Sequence, residues 1–164
     1  MKSVEETIED LVKDKLNSLK IPFYRKTDSV NEEIDKALNE GVSKQKNFGG
    51  NRPDIKLLIN EIPIMVEVKG NFNKLEKINI YTQSLSMEFN DIANYALNGA
   101  VHYANTIVGN SLYNSCIALG ITGTKVNDKV NIIMGAYKIV RDEPIEKLRG
   151  FNFLEDLGKL NEIR

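Results

Sequence analysis

Tryptophan is absent, and cysteine and histidine each occur once. One cysteine rules out an internal disulfide, and no Cys/His set exists to build a zinc site. Cys116 stands in the apolar run Cys116-Ile117-Ala118-Leu119, the setting of a buried core thiol, which suits a cytoplasmic protein. No apolar run approaches transmembrane length and the N-terminus has no signal-peptide core, so no membrane partner is expected. A phosphate-binding glycine loop is also missing, which argues against chemistry on small phosphorylated molecules. Charge of one sign is lacking too: 22 basic against 23 acidic residues leave a net charge of −1. Proteins that bind nucleic acid normally carry a basic footprint. Here one segment does, Gly41 to Thr82, with seven basic residues (Lys44, Lys46, Arg52, Lys56, Lys69, Lys74, Lys77) and four acidic ones (Asp54, Glu61, Glu67, Glu76).

What is present fits one globular domain: 164 residues, 41% hydrophobic and 27% charged. Val4, Ile8, Leu11, Val12, Leu16 and Leu19 recur with helical period over residues 3–19, above an acidic opposite face. Ile21 to Arg25 reads as a strand and Asn31 to Glu40 as a short helix stopped at Gly41. Val42 to Asn51 is a polar loop whose Lys44 and Lys46, with Arg52 beyond it, are candidate phosphate contacts or simply solubilising charges. Two apolar runs follow, Ile55–Ile59 and Ile62–Val68, with Asn60-Glu61 between them as a hairpin turn. After Gly70 an irregular insertion is expected, then one long helix from Phe89 to Val108 containing His102, a packing or surface residue. Ser115–Thr122 and Val130–Val140 are strands separated by a turn over residues 123–128, and Pro144 is suited to start a short helix. The order predicts an α/β fold, a central mixed β-sheet flanked by helices, over residues 1–142, with residues 143–164 a helical tail or the start of a linker.

The hairpin carries the chemistry. Its start lies beside its end, so Asp54 is expected next to Glu67, and Lys69, two residues on, shares the face of Glu67. Taken alone, Glu67-Val68-Lys69 is an ordinary surface charge pair. Together with Asp54 at the mouth of the hairpin, it puts two carboxylates and an ammonium at one sheet end. Mg²⁺ takes oxygen ligands and keeps several waters, so one or two carboxylates plus phosphate oxygens suffice to hold it. Asp54 and Glu67 are the expected ligands, with the carbonyl of Val68 as a third, Mn²⁺ as a substitute metal, and Lys69 orienting the attacking water.

Gly50-Asn51-Arg52-Pro53-Asp54 through Glu67-Val68-Lys69-Gly70 resembles the signature of the PD-(D/E)xK nuclease superfamily. Tyr95 to Ala104 resembles a helix that follows this motif in restriction–modification enzymes whose N-terminal nuclease precedes an adenine-specific DNA methyltransferase. The resemblance covers roughly residues 1 to 140. It implies a restriction-endonuclease-like core and a Mg²⁺-dependent endonuclease acting on double-stranded DNA. The implied setting is a Type I restriction subunit or a fused nuclease–methyltransferase, with methyltransferase and specificity domains or subunits as partners and a transient dimer during double-strand cleavage. Many members place a glutamate of the first helix near the metal, which matches Glu9 here, with Glu5 and Glu6 as alternatives. Many also place a glutamine of the later helix there. This chain has Asn98 and Gly99 in that register, so no direct role is expected of that helix. A stand-alone repair or junction-resolving nuclease, and a non-catalytic interaction module on the same fold, are the competing expectations.

Overall fold

In the computed structural model, which describes residues 2–41 and 51–163, the first helix starts where the sequence caps it. The Ser3 hydroxyl accepts the Glu6 N–H at 3.1 Å and the Glu6 carboxylate accepts the Ser3 N–H at 3.2 Å. This reciprocal pair satisfies two donors at the helix start, and α1 runs Val4–Ser18. The expected strand after it shrinks to β1, Tyr24–Arg25, because Lys20 turns the chain at φ 60° and Ile21 donates back to the Leu16 carbonyl at 2.9 Å. The Asn31 side chain accepts the Ile34 N–H at 2.8 Å and opens α2, Glu32–Glu40.

The hairpin forms in the expected register. β2 (Ile55–Ile59) pairs antiparallel with β3 (Ile62–Val68), from Ile55 opposite Val66 to Ile59 opposite Ile62. Asn60 at φ 51° and Glu61 at φ 64° make a two-residue turn of the kind whose twist matches its flanking strands. A single 3-10 turn (Phe72–Lys74) lies in the insertion that follows.

One long helix was expected over residues 89–108, but two are present: α3 (Phe89–Asn94) and α4 (Ala96–Asn110). The break is at Tyr95, extended at φ −118° and ψ 136°. There the Leu97 N–H leaves the helical pattern and donates to the Leu75 carbonyl of the insertion at 2.8 Å. The sheet then continues with β4 (Ser115–Val126), parallel to β3, and β5 (Lys129–Val140), antiparallel to β4. Their turn is Asn127-Asp128, both at positive φ, later than the expected residues 123–128. Gly123 is a strand residue and not a breaker: a Cβ there would stand 2.6 Å from the Asn131 carbonyl oxygen.

No helix starts at Pro144. The chain instead turns at Asp142 (φ 62°) and adds β6, Glu146–Leu148, antiparallel to β5. A 3-10 segment over Leu154–Glu162 then buries Leu157 and Leu160 against the face that α1 covers. Phe151, Leu157 and Leu160 thereby join the core cluster between α1 and the sheet.

The result is an α/β fold with a six-stranded mixed sheet in the order β1-β2-β3-β4-β5-β6, consistent with a restriction-endonuclease-like core. One face packs Ile64, Val66, Val68, Leu119 and Ile121 against Ile8, Val12 and Leu16 of α1. The other packs Met65, Cys116 and Ala118 against α2 and α4. Cys116 is fully buried, and burial pushes its thiol pKa up. Among the described residues, no helix is long and apolar enough to cross a membrane.

Candidate active site

Extending the β2–β3 register by one residue sets Asp54 opposite Glu67, and their hydrogen bonds confirm the placement. The Asp54 N–H donates to Glu67 Oε1 at 3.2 Å, and the Val68 N–H donates to Asp54 Oδ2 at 2.9 Å. The two carboxyls also lie within hydrogen-bonding reach of each other. Glu67 is only 3% exposed, on the α4 side of the sheet beside Met65, and is not the surface residue its motif would suggest in isolation. Asp54 is less deeply placed. Burial and then the neighbouring Glu67 push its pKa from 3.8 up to about 6, against the Val68 N–H and the charge of Lys26, which lower it. Such a pair favours any cation that restores its charge balance.

Of the three candidate glutamates of α1, Glu9 is the half-buried one, and the charge of Asp54 bears on it. Its pKa is raised by burial and then by Asp54, and lowered by Lys13 and Lys26. Lys13 lies 3.9 Å from its carboxylate. Glu6 is engaged in the helix cap and Glu5 is exposed, its backbone against Gly70. Among the described residues, no group of three or more Asp, Glu, His or Cys side chains is gathered as a metal site. The donor set at the hairpin mouth is thus two carboxylates plus the carbonyl end of β3, which fits a hard oxygen-seeking cation that completes its shell with water and phosphate.

Lys69 follows β3 directly, its N–H on the Ile121 carbonyl at 2.9 Å, and its side chain is partly exposed. That parallel step sets it level with Thr122, a fully buried residue whose hydroxyl has no hydrogen-bond partner among the described residues. Arg52 is exposed two residues before Asp54. Lys44 and Lys46 lie outside the described residues. Lys56 does not belong to a basic surface: it is 4% exposed and its ammonium donates to the carbonyls of Lys26 (3.3 Å) and Asp28. Burial lowers its pKa.

Two neighbours of the pair were missed. Tyr103 of α4, 4% exposed, lies against it: burial, then Glu67 and Asp54, push the phenol pKa well up, and its hydroxyl donates to the Arg52 carbonyl at 3.5 Å. The later helix therefore does reach the site, through a tyrosine and not through the amide position. Asn98 has another task. Fully buried, its side chain accepts the Lys77 N–H at 2.9 Å and donates to the carbonyls of Lys77 (3.0 Å) and Ser86 (2.8 Å), clamping the base of the insertion. The other missed neighbour is Lys26, whose charge acts on both Asp54 and Glu9. His102 is a packing residue, its ring nitrogen 3.2 Å from the Asn51 side chain.

No family model matches the chain, and no solved structure does. The chain is similar to the Type II restriction enzyme and methyltransferase RM.BcgI of Heyndrickxia coagulans, at 30% identity over 139 residues. The match covers 84% of this chain and 21% of that protein, so the chain spans about a fifth of its relative's length. That similarity relates the chain to restriction–modification enzymes.

Proposed function

We propose that this chain is the phosphodiester-cleaving part of a restriction–modification enzyme, a Mg²⁺-dependent endonuclease of the PD-(D/E)xK superfamily acting on double-stranded DNA. The observation that carries the reading is half-buried Asp54 set against buried Glu67 at the mouth of a hairpin, the Asp54 N–H donating to Glu67 Oε1 and the Val68 N–H to Asp54 Oδ2, with Lys69 two residues beyond Glu67. Asp54 and Glu67 would hold the metal, with the Val68 carbonyl beside them. When bound, Mg²⁺ or Mn²⁺ would supply activation of water and neutralisation of charge growing on phosphorus.

The chain's own groups supply the remainder. Lys69, at the strand end beside the pair, orients the attacking water and offsets developing negative charge. Glu9, half-buried and coupled to Asp54, adds a third carboxylate on the approach from α1. Tyr103 closes the α4 side of the pair and keeps bulk water from it. Arg52, with Lys44 and Lys46, supplies phosphate contacts. A relative that joins restriction and methylation in one protein supports methyltransferase and specificity parts as partners. One such centre cuts one strand, so double-strand cleavage calls for two copies, paired transiently.

The test is nicking of supercoiled plasmid by the purified chain in Mg²⁺ and in Mn²⁺, beside Glu67→Ala. Metal-dependent nicking that disappears in the variant supports the reading. Absence of nicking together with absence of divalent-metal binding by calorimetry overturns it.

A further inference from the structure

β1 is two residues long, yet its register is set: Tyr24 pairs with Lys56 and Arg25 with Ile55. One residue beyond each end of that pairing stand Lys26, where the chain turns, and Asp54, which the β2–β3 register sets opposite Glu67. Lys26 is the turn residue that directly follows β1, next to the Arg25–Ile55 pair and so on the β1 side of Asp54, while Glu67 stands on the β3 side. Nothing in the segment around Lys26 resembles a motif, and only the pairing reveals it.

The backbone at Lys26 is held firmly. The buried Lys56 ammonium takes the carbonyls of Lys26 and Asp28 as its acceptors. A buried ammonium must be hydrogen-bonded to remain in place, so the two strands fix the loop through it. The Arg25 N–H donates to the Asp28 carboxylate at 2.8 Å and the Asp28 N–H to the Arg25 carbonyl at 3.0 Å, closing the same turn. On this fixed base the Lys26 side chain is exposed and forms no salt bridge to a described residue. It borders a polar cavity of about 370 Å³ whose charged lining is Lys26, Arg52 and Lys56 with Asp28 and Asp35. Of these, Asp28 is already tied to the Arg25 N–H and Asp35 to the Ser29 hydroxyl and Val30 N–H, so the exposed Lys26 on its rigid base, with exposed Arg52 nearby, is arranged to meet an anion from outside.

We propose that Lys26 is a second cation of the site, binding a backbone phosphate of the strand that lies over Asp54, and that Lys56 is the positioning residue that holds it there. The proposal rests on the nuclease reading above and extends it. Lys26 and Lys69 then flank the carboxylate pair from β1 and from the end of β3.

The experiment is fluorescence anisotropy of a labelled duplex, with the purified full chain in Ca²⁺, over a range of salt concentrations. Wild type, Lys26→Ala, Lys26→Arg and Lys56→Met are compared, with melting curves for each. Loss of one phosphate contact reduces the slope of log K against log salt by about 1. We expect that reduction in Lys26→Ala, retention of the wild-type slope in Lys26→Arg, and the same loss in Lys56→Met with no further loss in the double variant. A wild-type slope in Lys26→Ala overturns the proposal, and so does a change confined to melting temperature, which marks Lys26 as a mere counter-charge to Asp54 and Glu9. A wild-type slope in folded Lys56→Met removes Lys56 from it. Lys26 is exposed, so its alanine variant decides the matter should Lys56→Met fail to fold. If nicking depends on Glu67 while Lys26→Ala keeps its slope, the nuclease reading stands alone. If the wild type binds no duplex at any salt, the proposal for Lys26 falls, and the nuclease reading is decided by nicking and metal binding beside Glu67→Ala.

Discussion

One row of residues crosses the sheet, and its two halves serve opposite ends. Glu67 of β3 pairs with Gly120 of β4, which pairs with Gly135 of β5. On the β2–β3 side the row carries carboxylates. On the β4–β5 side it carries no side chains at all, and Leu97 of α4 fills the space. A Cβ on Gly120 would stand 2.6 Å from the Leu97 backbone nitrogen, and one on Gly135 would stand 2.7 Å from Leu97 Cδ1. The glycines let α4 descend onto the sheet, and the same helix then presents Tyr103 to Asp54 and Glu67. The bare half fixes the helix, and the charged half is the candidate for the chemistry. Both hairpins have two-residue turns at positive φ, so turn geometry alone does not separate them.

The sharpest way to break the comparison is to empty one half at a time. Asp54→Ala, Glu67→Ala and Lys69→Ala are each expected to lower metal-dependent nicking at least about a thousandfold while the fold persists. Nicking that survives all three, in protein with native circular dichroism, would remove the carboxylate half from the chemistry. In the other half, Gly120→Ala is expected to cost about 3 kcal/mol, because the new methyl meets backbone and not a flexible side-chain tip. Denaturant titration reads that loss. A wild-type midpoint would mean that α4 does not depend on the bare row.

How much of this was legible in the sequence depends on how far apart the partners lie along the chain. Asp54 and Glu67 were placed correctly because a two-residue turn links their strands and the register follows by counting. Lys26 was not found: β1 is two residues long, its pairing with β2 spans α2 and the segment beyond, and Lys56 looked like one more surface charge. Tyr103 was hidden for a related reason. Helical periodicity shows that α4 is buried, but its position over the site follows from Gly120 and Gly135, which are silent until the strands are aligned. The split at Tyr95 depends on a carbonyl of the insertion, Leu75, and local propensity contains no trace of that. Pro144 misled because proline suits a helix start as well as a strand approach, and the choice fell to pairing with β5.

The carboxylate half is expected to destabilise the metal-free protein, which distinguishes a functional site from a packing feature. The pKa of Asp54 is raised from 3.8 to about 6, so between those values the folded protein binds the proton more readily than the unfolded chain. The stability that this group contributes is complete below about pH 4 and is lost as pH rises through about 6. Glu9 is shifted in the same direction. Asp54→Asn retains an acceptor for the Val68 N–H, so it is expected to gain on wild type as pH rises from 4 to 7, by about 3 kcal/mol at the upper end. Divalent metal at a hundred times its Kd would return about 2.7 kcal/mol to the wild type alone. Denaturation curves of both proteins across this range, with and without Mg²⁺, test it. A gap that does not change with pH would show that Asp54 is not held in a strained charge state.

The smallest effect probes the boundary between the halves, at Thr122. Its hydroxyl is fully buried on β4, level with Lys69, and no described residue hydrogen-bonds to it. An orphaned hydroxyl costs on the order of 1 kcal/mol or more relative to an apolar group of the same shape, so Thr122→Val is expected to stabilise the fold by about 1 kcal/mol. If the hydroxyl belongs to packing alone, nicking is unchanged and the charged half ends at Lys69. If the variant is more stable but nicks more slowly, the polar row extends one strand further. Thr122 would then serve Lys69 when substrate is bound, at a cost to the free protein, as Asp54 does.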